Sequence, residues 1–304
     1  MSATGENVRR LTVSDIGRLY ADGEPIAMLT AYDYPVARIL DDAGIPMLLV
    51  GDSLGQVVLG YETTVKVTME EMLHHTRAVV RGSRRALVIG DMPFLSYATT
   101  DEALENAGRF MRDGGAQAVK VEGGVRSARV VEALVRSGVP VMGHIGWTPQ
   151  SQHGLGGKVK VQGKTRDAAR AMLHDAIAIQ EAGAFSIVLE LVPEQLAAVI
   201  TSRLRIPTIG IGAGPHCSGQ VQVVPDMLGL GDFHPKHARA YADLQGTIAE
   251  ATRRWMADVA ARTFPGPAET VRMDDAVLDE ALGRHADDRA AGRVPEMIPL
   301  DRDL

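Results

Sequence analysis

Short apolar runs recur along the chain at residues 26–31, 46–50, 86–90, 117–121, 139–143, 184–189 and 206–211, with a weaker one at 227–230. Between them the apolar positions fall at a period near 3.6: Val36, Ile39, Leu40 and Ala43; Met69, Met72, Leu73, Thr76, Val79 and Val80; Ala169, Met172, Leu173, Ala176 and Ile177. Each such stretch reads as a helix with one apolar stripe. Thr68 with Glu71 and Thr99 with Glu102 have capping-box spacing, and Pro193 suits a first helical position. Gly44, Gly114, Gly138 and Gly183 stand where helices should stop. Strands that are apolar on both faces and separated by helices form a parallel sheet, because only crossover helices can cover both faces. Eight of them predict an α/β fold closed into a (β/α)8 TIM barrel; an open doubly wound sheet is the alternative arrangement of the same elements. A helix at 13–20 precedes the first strand and another at 241–261 closes the domain. The reading is a single barrel domain, residues 1–264. Residues 265–304, after Phe264-Pro265-Gly266-Pro267, form a charged C-terminal tail that is partly helical at 274–285.

Composition narrows the class. A chain of 304 residues suits one large barrel. With 45% hydrophobic residues but only five Phe and two Trp, the core is built from Ala, Val, Leu, Ile and Met. The 32 basic and 38 acidic residues give a net charge of −6 with no basic run, which argues against nucleic acid as a partner. The one cysteine, Cys217, can make no internal disulfide, so a reducing, cytoplasmic setting is expected. The first ten residues lack a signal-peptide apolar stretch, and no window reaches the ~20 apolar residues of a span, so no membrane is expected.

Candidate chemistry collects at the C-terminal ends of the predicted strands: Asp33, Asp52-Ser53, Asp91, Lys120 with Glu122, His144, Glu190 and the turn Gly210-Ile211-Gly212-Ala213-Gly214. In a closed barrel these converge on one mouth, where barrel enzymes place their reacting groups. The bland alternative for any one acid is a helix cap or a solvent contact. Asp52 and Asp91 each leave a buried strand beside a glycine, and two such carboxylates suit Mg²⁺ better than zinc, which favours His or Cys. Lys120 and Glu122, two apart, share one side of their strand. Glu122 could serve the metal directly or through water, or simply pair with Lys120. The Lys120 ammonium needs an anion, either a substrate carboxylate or a neighbouring acid. Glu190 stands among apolar residues, a setting that favours proton acceptance by a carboxylate. His144 is a weaker candidate. The late Gly210–Gly214 turn lacks the context of a dinucleotide fingerprint. His74-His75 and Cys217 read as structural.

Longer motifs carry a family resemblance: Leu29-Thr30-Ala31-Tyr32-Asp33-Tyr34, Leu49-Val50-Gly51-Asp52-Ser53-Leu54-Gly55, Gly90-Asp91-Met92-Pro93-Phe94, Val119-Lys120-Val121-Glu122-Gly123-Gly124, Gly143-His144-Ile145-Gly146-Trp147-Thr148-Pro149-Gln150-Ser151, Lys160-Val161-Gln162-Gly163 and Gly210-Ile211-Gly212-Ala213-Gly214. In this order, between about Leu11 and Phe264, the chain resembles the ketopantoate hydroxymethyltransferases. The resemblance implies transfer of a one-carbon unit from 5,10-methylenetetrahydrofolate to the 2-oxo acid 3-methyl-2-oxobutanoate, giving 2-dehydropantoate in pantothenate biosynthesis. It also implies Mg²⁺ and a homo-oligomer. The positions matching the family's site are Asp52, Ser53, Asp91 and Lys120 for substrate, Asp52, Asp91 and Glu122 for metal, and Glu190 as general base. The sequence departs from the family pattern at Gln152-His153, at Pro225 and in the tail beyond Pro267. Two other readings remain at this stage: a Mg-dependent barrel lyase or mutase acting on phosphoenolpyruvate-like acids, and a catalytically silent barrel that binds a small acid.

Overall fold

The computed structural model describes residues 9–231 and 235–282. Eight parallel strands close in chain order: β1 (Ile26–Thr30), β2 (Met47–Val50), β3 (Leu87–Asp91), β4 (Ala118–Glu122), β5 (Val141–Gly146), β6 (Ser186–Glu190), β7 (Thr208–Ile211) and β8 (Gly219–Gln222). Pairing of β1 with β8 completes the ring, so the open sheet is excluded. Seven strands stand where the apolar runs predict them. The eighth does not. Residues 224–228 instead form the helix Val224–Leu228, with Pro225 in its first turn and Gly229 left-handed at its end. The true β8, Gly-Gln-Val-Gln, alternates buried and exposed positions and so carries no apolar run.

Side-chain alternation sorts the barrel into two cores. One set of strand positions, including Leu48, Val50, Val88, Val119, Val121, Ile187 and Leu189, packs outward against the helices. The other set, Met28, Met47, Leu49, Leu87, Ile89, Ala118, Met142 and Val188, fills the barrel interior, and Ile16 of the helix Val13–Ala21 joins it. Room for close packing is made by glycine. A Cβ at Gly90 would meet the ring of Phe110 at 2.3 Å. Full burial of that ring contributes about 2–3 kcal/mol.

The helix boundaries follow local chemistry. Thr68 and Thr99 make the expected capping boxes with Glu71 and Glu102. Pro193 is the cap residue itself, one position before the helix Glu194–Arg203. Gly44, Gly138 and Gly183 are left-handed stops, but after the helix Thr100–Arg109 the chain takes a wider π turn, Phe110–Gly114, and the left-handed residue is Gly115.

Two compact units are present, Met1–Gln245 and Gly246–Leu304. The helix Leu244–Ala260 spans the division. In the second unit a short helix, Asp275–Ala281, starts where Asp274 accepts a hydrogen bond from the Ala276 amide; residues 283–285 of the expected helix lie outside the described ones. No helix among the described residues is long and apolar enough to cross a membrane.

Candidate active site

The interior face of the barrel turns from apolar to charged in one step. Along β3 the inward positions are Leu87, Ile89 and Asp91; along β4, Ala118, Lys120 and Glu122; along β5, Met142 and His144; along β6, Val188 and Glu190. Strand register then sets neighbours, with Asp91 beside Lys120 and Glu122 beside His144. Asp52, just past β2, donates its amide to Asp91 Oδ2 at 3.1 Å.

The resulting cluster is almost dry. Lys120 Nζ lies 2.9 Å from Asp91 Oδ1, 3.8 Å from Glu122 Oε1 and 3.0 Å from His144 Nδ1. His144 Nδ1 is 3.4 Å from Glu122 Oε1, and its Nε2 is 3.2 Å from Glu190 Oε2. Three carboxylates thus meet one lysine and one histidine, and Asp52 adds a fourth beside Asp91. Burial pushes Asp52 well above the usual carboxylate range, and Asp91 and Glu122 add to the rise. Asp91 is raised as well, by burial against the pull of Lys120. For Glu122 burial acts upward, but His144 and Lys120 outweigh it and hold the group below its ordinary value. Burial would push Lys120 down, yet Asp91, Glu122 and Asp52 keep its ammonium charged. Burial and Lys120 depress His144, whereas Glu122 and Glu190 raise it more, to about 9.

An excess of buried negative charge calls for a cation. Asp91 Oδ1, Glu122 Oε1 and His144 Nε2 are all buried without hydrogen-bond geometry to any partner, despite their short ionic contacts. No group of three or more His, Cys, Asp or Glu among the described residues is arranged to hold a metal by itself. The carboxylates Asp52, Asp91 and Glu122 fit Mg²⁺, which binds through one or two carboxylates and fills its remaining positions with water and substrate oxygens.

The other sequence candidates separate. Ser53 joins the site, its Oγ 2.9 Å from the hydroxyl of buried Tyr32. Asp33 does not; it caps the helix Tyr34–Asp42 by accepting from the Val36 amide. Glu190 does not stand alone among apolar residues, because His144 faces it. In the pair His74-His75, the His75 Nδ1 lies 2.6 Å from the carbonyl oxygen of Tyr32 and braces that residue. Gly212 and Gly214 take the positive φ values of a tight turn, 64° and 79°. Two contributors have no signal in the apolar pattern: Tyr97, in the loop after β3, and Gln150, in the turn Pro149–Ser151 after β5. Gln150 lies in the Gly143–Ser151 motif, and only the folded loop brings its amide to Asp52. Beside the cluster a cavity of about 290 Å³ is lined by Phe94, Tyr97, Glu122, Arg126, Gln150 and Ser151 among others.

Comparison with known proteins identifies the family. The family model described as ketopantoate hydroxymethyltransferase matches residues 10–267. A 3-methyl-2-oxobutanoate hydroxymethyltransferase of Chloroflexus aurantiacus is 59% identical over 275 residues, covering 90% of this chain and 97% of the relative. One from Dehalococcoides mccartyi is 59% identical over 273 residues, covering 89% and 96%. Among solved structures, phosphoenolpyruvate phosphomutase from Streptomyces platensis subsp. rosaceus superposes with a TM-score of 0.56 at 14% identity, over 93% of this chain and 100% of that one. That likeness concerns the fold.

Proposed function

The chain belongs to the ketopantoate hydroxymethyltransferase family and is a hydroxymethyltransferase of pantothenate biosynthesis; from that premise we propose which residues perform each part of the reaction. The substrates in this reading are 3-methyl-2-oxobutanoate and 5,10-methylenetetrahydrofolate. Asp52 and Asp91, with Glu122 through water, would hold Mg²⁺, which would supply Lewis-acid stabilisation of the enolate charge. Lys120 and Ser53 hold the substrate carboxylate, the first by charge and the second through a hydroxyl that Tyr32 orients. Glu190 removes the C3 proton. Its neighbour His144 presents Nε2 to Glu190, fixing the direction in which the base acts. C3 of the resulting enolate bonds to the folate methylene carbon as one of its two C–N bonds breaks. Hydrolysis of the other leaves the hydroxyl of water on that carbon, while the proton held by Glu190 and the remaining proton of water go to the two nitrogens of the departing tetrahydrofolate. The folate approaches over the cavity beside Glu122, where the exposed Arg126 offers a cation to its glutamyl carboxylates.

The observation that carries this reading is the charged upper layer of the barrel, which sets a candidate base at one end of a buried ionic row and a cation-seeking pair at the other. Proton removal then needs only oxo acid and Mg²⁺. The wild type should exchange the C3 hydrogen of 3-methyl-2-oxobutanoate with deuterated water in the absence of folate. Glu190→Gln keeps the shape but cannot accept the proton, so exchange and turnover should fall together by about a hundredfold or more. Proton NMR of the methine signal follows this directly, and exchange at the wild-type rate in the variant assigns the base elsewhere.

A homo-oligomer in the cytoplasm is part of the same proposal. The helix Leu244–Ala260 exposes Ile248, Trp255 and Val259 at helical spacing, an apolar stripe of the kind a second copy covers. Light scattering of the purified protein tests it; a monomer at micromolar concentration rejects it.

A further inference from the structure

Gln150 occupies an unusual place in the donor economy of the site. It is buried at 4% exposure, and every hydrogen-bonding part of it that the site can reach is used. Its backbone amide donates to Glu122 Oε2 at 3.1 Å. Its side-chain Nε2 donates to Asp52 Oδ2 at 2.9 Å and to the Met92 carbonyl oxygen at 2.9 Å. Its Oε1 accepts from the Tyr97 hydroxyl at 2.6 Å. One residue thus donates to two of the buried carboxylates, one just past β2 and the other at the end of β4.

The orientation of the amide is decided by its surroundings. A carbonyl oxygen and a carboxylate at one end are acceptors and demand the NH₂; a phenol hydroxyl at the other end has a proton to give and demands the C=O. Turning the amide over would set its one oxygen against two acceptors, Asp52 Oδ2 and the Met92 carbonyl oxygen, and strand the Tyr97 proton. The backbone beneath is equally determined. Pro149 restricts the turn, Ser151 donates back to Thr148, and Trp147 donates to the carbonyl oxygen of Glu190 at 2.8 Å. Asp52 and Glu122 each keep an oxygen that Gln150 does not take.

We propose that Gln150 is a positioning residue that aims Asp52 and Glu122 at the cation, and that Tyr97 acts through it by fixing the amide. The inference rests on the reading that these carboxylates face Mg²⁺. Partners that orient metal-binding carboxylates typically contribute ten- to a hundredfold in affinity or activity. Tyr97 acts at one remove and contributes less.

The test is Mg²⁺ affinity, measured by calorimetry on metal-free full-length protein with native circular dichroism. Gln150→Met keeps the length of the side chain, removes both amide ends, and leaves the backbone donor to Glu122 in place; it should raise the Kd by about ten- to a hundredfold. Tyr97→Phe removes only the hydroxyl, and should raise the Kd by about three- to tenfold. In the double variant the Tyr97 change should cost nothing further, since the amide it fixes is gone. Asp91→Asn serves as the control on the metal reading itself. If Asp91→Asn loses Mg²⁺ affinity while Gln150→Met keeps it, the positioning role is overturned and the metal reading stands. If Asp91→Asn also binds as the wild type does, the metal reading fails first. A silent Tyr97→Phe, or effects that add in full in the double variant, removes Tyr97 from the chain. Should Gln150→Met not fold, Gln150→Asn takes its place: it keeps a polar amide but draws it one methylene short of Asp52 and Tyr97, and an unchanged Kd then overturns the positioning role.

Discussion

His144 Nε2 lies 3.2 Å from Glu190 Oε2 across the seam between β5 and β6, so the proposed base is aimed by a neighbour that is itself buried between Lys120 and Glu122. His144→Asn removes that contact while leaving the carboxylate. Exchange of the substrate C3 hydrogen should fall by about tenfold or more, less than in Glu190→Gln. Exchange at the wild-type rate would mean that Glu190 needs no partner to aim it.

Gly146 marks the other constraint on the base. Its φ is +97°, and a Cβ there would meet the Glu190 carbonyl oxygen at 2.1 Å. Gly146→Ala must displace backbone at the end of β6, which costs about 1–3 kcal/mol of stability in urea unfolding and lowers turnover by moving the base. A variant with unchanged stability and activity would show that this seam yields freely.

A pH effect on folding is expected far from the site. The Arg9 guanidinium, with the amide and hydroxyl of Thr12, holds the Asp15 carboxyl well below the usual range, and Arg18 also pairs with it. The folded-state pKa is depressed, so the stabilisation is present above the unfolded value near ~4 and is lost as pH falls below it. Asp15→Asn should therefore melt below the wild type at pH 7, with the gap shrinking as pH drops under about 4. A gap that stays constant down to pH 2.5 contradicts this origin.

The tail offers a further test. Residues 268–304 follow the matched region and change in composition. A chain ending at Pro267 should keep kcat within a few-fold. A loss of more than about a hundredfold with native circular dichroism would mean that the tail completes the site.

The sequence carries more of this architecture than of its contacts. Seven strands announce themselves because a barrel strand buried on both faces must be apolar throughout, and the charged residue that ends such a run is conspicuous. β8 escapes because Gln220 and Gln222 break its run, and the apolar residues that follow belong to a helix. Asp91, Lys120 and Glu122 are legible as interruptions of apolar strands. The link from His144 to Glu190 is not, since it depends on which strands neighbour one another and in what register. Gln150 and Tyr97 lie in irregular loops, where periodicity says nothing about direction. The barrel alone also does not separate a hydroxymethyltransferase from a mutase, because the likeness to the phosphomutase is one of fold; the long motifs make that distinction.

Because Asp91 sits opposite Lys120 and Glu122 opposite His144 in the strand ladder, the ionic row is a property of the hydrogen-bonded backbone, not of the loops above it. An exchange of loops can therefore change which molecule is admitted while the proton-handling and charge-holding groups keep their spacing. For protein engineering this divides the molecule. Substrate scope can be diversified in the segments after the strands outside Asp52-Ser53, Tyr97 and Gln150, whereas a one-residue slip of β4 would turn Lys120 and Glu122 out of the interior and remove both from the proposed site at once.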